Sequence, residues 1–225
     1  MTGNSVFDEQ IGATLFNERL AERDIVVLQG FATERLSEKP GYRVRDRSLA
    51  WLLGSHGLLG QLASSVLGEG AVPIKCVLFN KTHSINWSTP WHQDRVVPMR
   101  EKKVLDGYEN WSAKDGLDHV EPPFCIIEQM VTFKVLLDDC GLEQGPIRVA
   151  AGSHRFGKLS SAQLPGLVNS LEEVPMVGQA GDVWAHAGSI IHASAKSDCN
   201  DDRRILHVDY SAFDLPAVLN WQSLV

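Results

Sequence analysis

Trp91-His92-Gln93-Asp94 sets an imidazole and a carboxylate two residues apart. On an extended chain residues i and i+2 point the same way, so His92 and Asp94 can grip one cation from one side. Much later, Gly181 to His186 (GDVWAH) is followed by Ser189 to Ser194, and His192 is the candidate third donor. Two neutral imidazoles and a carboxylate hold iron on one face and leave three positions open for chemistry. Arg203 lies 11 residues beyond His192. A guanidinium there is a rigid cationic fork suited to a dicarboxylate. The same donor set also binds zinc or nickel, so the spacing alone does not select the metal.

The elements that position these residues are read from periodicity. Ile11, Leu15, Phe16 and Leu20 have helical spacing, which predicts a helix over Phe7 to Arg23, then a short strand over Asp24 to Gln29. Ser48 to Leu53 and Leu58 to Leu67 read as two short helices, the second stopped by Gly68. From Val72 onward, short β-branched runs alternate with Pro, Gly and Asn: VPIKCVLFN, IIEQMVTFKVLL, PIRVA, EEVPMVG, GDVWAH, SIIHAS and RRILHVDY. So many short strands predict a sandwich or jelly roll, with a helical part to about residue 70 and a β core from about 71 to 225 in one domain. Along Glu128 to Asp138, Val131, Phe133, Val135 and Leu137 share one face while Thr132 and Lys134 share the other. Along Arg203 to Tyr210, Leu206 and Val208 oppose Arg203, His207 and Asp209. The polar faces look either to solvent or into a cavity inside the barrel. Arg95 to Pro123 reads as a long loop, a lid hinged at Gly107 and Gly116 with Trp111 as its apolar cap.

The remaining candidates have plainer readings. His154 fits a structural turn after a strand, and His186 fits packing beside the cavity. His207 shares a face with Arg203 and is placed to meet substrate. His56, His83 and His119 read as solvated, as does the Lys102-Lys103 pair. Trp87 and Trp91 flank the metal motif and either wall the pocket or pack in the core.

The whole chain narrows the function classes. Its 225 residues are 44% hydrophobic and 22% charged, enough for a sizeable core. A net charge of −7 without a basic tract argues against nucleic acid as the main partner. The opening MTGNSVFDEQ lacks the basic and apolar regions of a signal peptide, and no apolar run approaches a membrane span, so a soluble, cytoplasmic protein is expected. Cys76, Cys125, Cys140 and Cys199 are widely spaced, without a C-x-x-C pair, and read as free thiols. Oligomeric state is not written in the sequence.

Taken together, LFNK (78–81), NWSTPWHQD (86–94), GPIRVAAGSHRFG (145–157), GDVWAHAGSIIHAS (181–194) and RRILHVDY (203–210) resemble, in order, the phytanoyl-CoA dioxygenase family of Fe(II)/2-oxoglutarate oxygenases. The resemblance implies a double-stranded β-helix, a jelly roll of the cupin type, with helices packed on one sheet. It implies Fe(II) held by His92, Asp94 and His192, with O2 as co-substrate. Arg203 matches the residue pairing with the distal carboxylate of 2-oxoglutarate, with Arg204 as the register alternative, and Ser194 matches an assisting hydroxyl. Thr132 and Lys134 fall on a strand that borders co-substrate or substrate. The implied reaction hydroxylates a small organic molecule while 2-oxoglutarate becomes succinate and CO2. Desaturation, epoxidation or ring formation are alternatives on the same cofactors, and a cupin-like metal-binding protein without oxygen chemistry is the alternative from another class. A carboxylate at Asp94 implies oxygen insertion rather than halogenation.

Overall fold

The computed structural model describes residues 7–36 and 39–225; residues 1–6 of the expected N-terminal part lie outside them. In chain order the elements are β1 (Ala13–Leu15), α1 (Glu22–Leu36), β2 (Gly41–Val44), α2 (Ala50–Leu53), α3 (Leu58–Leu67), β3 (Val72–Lys81), β4 (Thr89–His92), β5 (Val97–Met99), β6 (Glu109–Lys114) and β7 (Leu117–Glu121). Then follow α4 (Phe124–Glu128), β8 (Met130–Leu136), β9 (Ile147–Ala150), α5 (Leu164–Val168), β10 (Glu173–Pro175), β11 (Val183–Ala187), β12 (His192–Ser194) and β13 (Arg203–Ser211). Six strands form a major antiparallel sheet in the order β1-β11-β8-β13-β3-β2, and a second sheet runs β10-β9-β12-β4. This is the jelly roll that the strand pattern suggested, and the double-stranded β-helix that the family resemblance implies. No helix among the described residues is long and apolar enough to cross a membrane.

The alternation of β8 and β13 divides the molecule. Val131, Phe133 and Val135, with Leu206, Val208 and Tyr210, pack beneath Leu28, Ala32 and Leu36 of α1 and the leucines of α2 and α3. The Tyr210 hydroxyl donates to the Leu53 carbonyl at 2.8 Å, tying sheet to helix. On the opposite face Thr132, Lys134, Arg203, His207 and Asp209 are all buried. Of the two readings left open for these polar faces, the inward one holds. Cross-strand register sets Lys134 opposite His207, Thr132 opposite Asp209, and Asp209 opposite Lys75.

Three expectations are corrected. Phe7 to Arg23 is not a helix. Asp8 accepts from the backbone of Gln10 and Ile11 at 2.8 and 2.9 Å, Gly12 turns at φ +77°, and β1 then pairs with β11. Asp24 to Gln29 is not a strand but part of α1. Val26 and Val27 face outward, while Leu28, Ala32 and Leu36 are buried at helical spacing. Glu22 and Asp24 in the first turn and Arg35 in the last complement the helix dipole. Arg95 to Pro123 is not an open loop: β5, β7 and β6 make a third antiparallel sheet there. Asp115 and Gly116, both at positive φ, close the β6–β7 hairpin as a two-residue turn requires. Trp111 packs in that sheet's own apolar cluster rather than capping the site.

Candidate functional site

The neighbouring strands β4 and β12 set His92 directly opposite His192, with ring centroids 4.3 Å apart. Asp94 follows two residues after His92, and its Oδ1 lies 3.7 Å from His92 Nε2. One donor atom from each of His92, Asp94 and His192 lies within 4.8 Å of the others. Both rings are held alike. His92 Nδ1 donates to the Pro90 carbonyl at 2.8 Å and His192 Nδ1 to the Ile190 carbonyl at 3.2 Å. A carbonyl only accepts, so Nδ1 carries the proton and Nε2 presents its lone pair, as a metal ligand must.

The residue between His92 and Asp94 anchors them. Buried Gln93 donates to the Gly157 and Ser189 carbonyls at 2.9 and 2.7 Å and accepts from the Leu159 amide at 3.0 Å. Ser153 Oγ accepts from the Ile191 amide at 2.9 Å, beside His192. The Gly-Ser-His segment thus positions the late donor. His154 lies in the turn after β9, where its ring fills the space a Cβ at Gly12 would take.

Burial and neighbouring charge keep Asp94 and His192 in their unprotonated forms. Burial pushes the Asp94 carboxyl up, but Lys75, then His192, His207 and Lys134, outweigh it and hold it well below the usual carboxylate range. Burial lowers His192 to about 3, against the pull of Asp94, so the imidazole is neutral at neutral pH. Beneath them runs a buried chain. Lys134 Nζ donates to His207 Nδ1 at 2.6 Å, and His207 Nε2 donates to Asp209 Oδ1 at 2.6 Å. Thr132 and Lys75 donate to the same carboxylate, each at 2.8 Å. Burial lowers Lys134 to about 7 and His207 to about 4. His186 stacks beside His192, with centroids 5.2 Å apart, and donates to the Ala187 carbonyl; it does not line the main cavity.

A cavity of about 250 Å³ opens over the three donors and is lined also by Lys134, Ser194, Arg203 and His207. Arg203 is 3% exposed, and its Nε and one terminal nitrogen have no partner among the described residues. Lys81 Nζ, beside it, donates to Ser194 Oγ at 3.2 Å and to the Gly145 and Ala195 carbonyls. Arg204 points the other way and forms a bidentate pair with Asp138, at 2.6 and 2.9 Å. Thr132 is committed to Asp209 and does not line the cavity. Trp87 does, whereas Trp91 packs with the Leu159 and Leu164 cluster. His119 corrects its reading as solvated: it is 1% exposed and lines the cavity, as do Val96 and Lys114 from the segment read as a loop. Only the hairpin register reveals this, and Asp115-Gly116 was its available signal. His56 and His83 are exposed as read. The four cysteines are free.

Among solved structures the chain is similar to the non-haem alpha ketoglutarate dependent epimerase SnoN of nogalamycin biosynthesis, at TM-score 0.66 and 16% identity over 90% of this chain and 79% of that one. SnoN is also known in complex with Fe3+, alpha ketoglutarate and nogalamycin RO. EctD from S. alaskensis, with 2-oxoglutarate and 5-hydroxyectoine, gives TM-score 0.67 at 15% identity over 90% and 72%. AviO1 from Streptomyces viridochromogenes Tue57 gives 0.62 at 18% over 92% and 96%. No curated protein matches the sequence significantly. At such identities the structures speak for the fold, while the sequence model described as phytanoyl-CoA dioxygenase matches residues 17–205. With most of its length under that model, the chain belongs to the phytanoyl-CoA dioxygenase family and is an oxygenase that depends on iron and 2-oxoglutarate.

Proposed function

We propose that this enzyme hydroxylates a small organic molecule, with His92, Asp94 and His192 holding the iron and Arg203 and Ser194 holding the distal carboxylate of 2-oxoglutarate. The observation that carries the reading is the Arg203 guanidinium. It is buried and part-unpartnered in the same cavity as the three donors. A buried charge without a partner is strongly unfavourable, so the position calls for an anion that arrives with the co-substrate. Lys81, which burial and then Arg203 lower to about 7, adds a donor at the Ser194 hydroxyl.

Bound iron with 2-oxoglutarate and O2 supplies the oxidation of an unactivated C–H bond, while 2-oxoglutarate becomes succinate and CO2. The chain's own work is positional. The Pro90 and Ile190 carbonyls keep both imidazoles in the metal-binding tautomer. Lys75 sits 3.5 Å from Asp94 and helps to keep that carboxylate ionised. Arg203 fixes the far end of the co-substrate, and the enclosing sheets limit water at the reacting carbon. Lys134 faces the cavity and borders the same space.

The test is succinate formation with Fe(II), ascorbate and 2-oxoglutarate, followed by mass spectrometry of candidate substrates for a gain of one oxygen. Wild type is expected to form succinate, and His92→Ala and His192→Ala each to lose iron binding and turnover. Near-normal turnover in either variant refutes the triad. A product lacking two hydrogens, with no added oxygen, refutes hydroxylation.

A further inference from the structure

Apart from the residues proposed to hold iron and 2-oxoglutarate, the cavity has a further wall built by Arg43 of β2, Lys114 of β6 and His119 of β7. Resting on the proposed function, the other lining cations are already engaged. Lys75 is held by Asp209 at 2.8 Å and Asp94 at 3.5 Å, Lys134 donates to His207, and Arg203 takes the co-substrate. Arg43 gives its Nε to Asp115 at 3.2 Å, a carboxylate 62% exposed that lines an adjoining space instead. Among the described residues Lys114 has no ion-pair partner, and Asp94 is the sole acidic one lining the cavity. In a chain of net charge −7, this is a cationic recess left over after the cofactors are counted.

His119 adds a second, independent demand. Its Nδ1 donates to the Leu117 carbonyl at 3.0 Å, which leaves Nε2 of the neutral ring a bare acceptor. Burial, and then Arg43, Lys114 and Lys75, keep that ring neutral. Nε2 is buried without a partner among the described residues. An unpaired acceptor in a cavity wall costs stability until something donates to it. Beyond the wall, an adjoining space of about 560 Å³ shares Arg43, Val77, Phe79 and Trp87 and adds Tyr42 and Ile85. Its lining is largely aromatic and aliphatic, and the two spaces together have the capacity of a small-molecule site.

We propose that the substrate is a small molecule with an aromatic or aliphatic body, an anionic carboxylate or phosphate received by Arg43 and Lys114, and a hydroxyl or N–H that donates to His119 Nε2. To test this, protein loaded with Ni(II) in place of iron is first titrated with 2-oxoglutarate. The ternary complex is then titrated calorimetrically with 4-hydroxyphenylacetate, its methyl ester, phenylacetate and phenyl phosphate. Failure of 2-oxoglutarate to bind defeats the proposed function and not this wall. With 2-oxoglutarate bound, at least one of the two anions, 4-hydroxyphenylacetate or phenyl phosphate, is expected to bind about ten- to a hundredfold more tightly than the ester, as for a charge-assisted hydrogen bond. Which of them binds tells carboxylate from phosphate. Lys114→Met, at an exposed position, and Arg43→Gln are each expected to remove most of that preference, with thermal melting as the folding control. His119→Phe is expected to abolish the advantage of 4-hydroxyphenylacetate over phenylacetate. Equal binding of anions and ester, no saturable binding of either anion at millimolar concentration, or a preference that survives both cation variants overturns the proposal.

Discussion

Arg203 and Arg204 are adjacent, identical in chemistry and opposite in fate. Strand alternation turns Arg203 into the cavity and Arg204 out to Asp138 and Thr33. The proposed role therefore makes a sharp contrast. Arg203→Ala is expected to raise the 2-oxoglutarate requirement at least a hundredfold, because breaking a buried charged pair costs about 3–5 kcal/mol. Arg204→Ala is expected to leave that requirement unchanged and to lower stability by about 1 kcal/mol, the scale of a part-exposed ion pair. Saturation curves for succinate formation, with a melting curve for each variant, read both effects. The reverse pattern would assign the co-substrate to the other arginine. At this scale much of the candidate site was legible: His92, Asp94, His192, Ser194 and Arg203, from separated segments, come to one cavity. His119 and Arg43 were not, since neither sits in a motif and only strand register and cavity shape bring them there.

Helix α1 and strand β1 show what local patterns hide. Ile11, Leu15, Phe16 and Leu20 mimic a helical stripe because a turn and a short strand happen to bury Phe16 and Leu20 beside α1. Asp24 to Gln29 is β-branched enough to read as a strand, yet the sheet face offers it a helix groove, and tertiary packing overrides propensity. Where caps agree with pattern the reading was accurate: Leu58–Leu67 runs between Gly57 and Gly68. Two glycines here make opposite predictions. Gly30 lies inside α1 with open space around its absent Cβ. Gly30→Ala is expected to stabilise the protein by about 0.5–1 kcal/mol in urea unfolding. Gly12 has φ +77° and the His154 ring against it. Gly12→Ala is expected to destabilise by well over 1 kcal/mol, since strain and collision add. If both substitutions were neutral, the backbone assigned at these two positions would be wrong.

The whole molecule responds to pH through its buried amines. Burial brings Lys134 and Lys81 down to about 7, below their value in an unfolded chain. From about pH 7 to 8 the unfolded state therefore holds more protons than the folded one, and stability rises with pH. Burial also raises the Cys76 and Cys140 thiols, which opposes the trend once unfolded thiols begin to ionise, near about pH 8.5 and above. His207, lowered to about 4, acts on the acid side: its contribution is present above the unfolded value near 6.5 and fades as pH falls toward 4. The metal-free protein is expected to melt higher at pH 8 than at pH 7, and Lys134→Met to flatten that slope. A wild-type melting temperature that falls over this interval contradicts the account.

Strand β13 pairs along its length with both β8 and β3, in the middle of the major sheet, and is the last strand in chain order. While the polypeptide is being made, the strands of the major sheet that precede Arg203 can at most assemble two ribbons, β2 with β3 and β1 with β11 and β8. Each ribbon then shows a bare hydrogen-bonding edge to the cell. The seam closes only when this strand clears the ribosome, and the same strand delivers Arg203, His207 and Asp209. A nascent chain stalled before it is therefore a template for misassembly and a client for chaperones. One stretch of nine residues decides at the same moment whether the sheet is whole and whether the cavity has its floor.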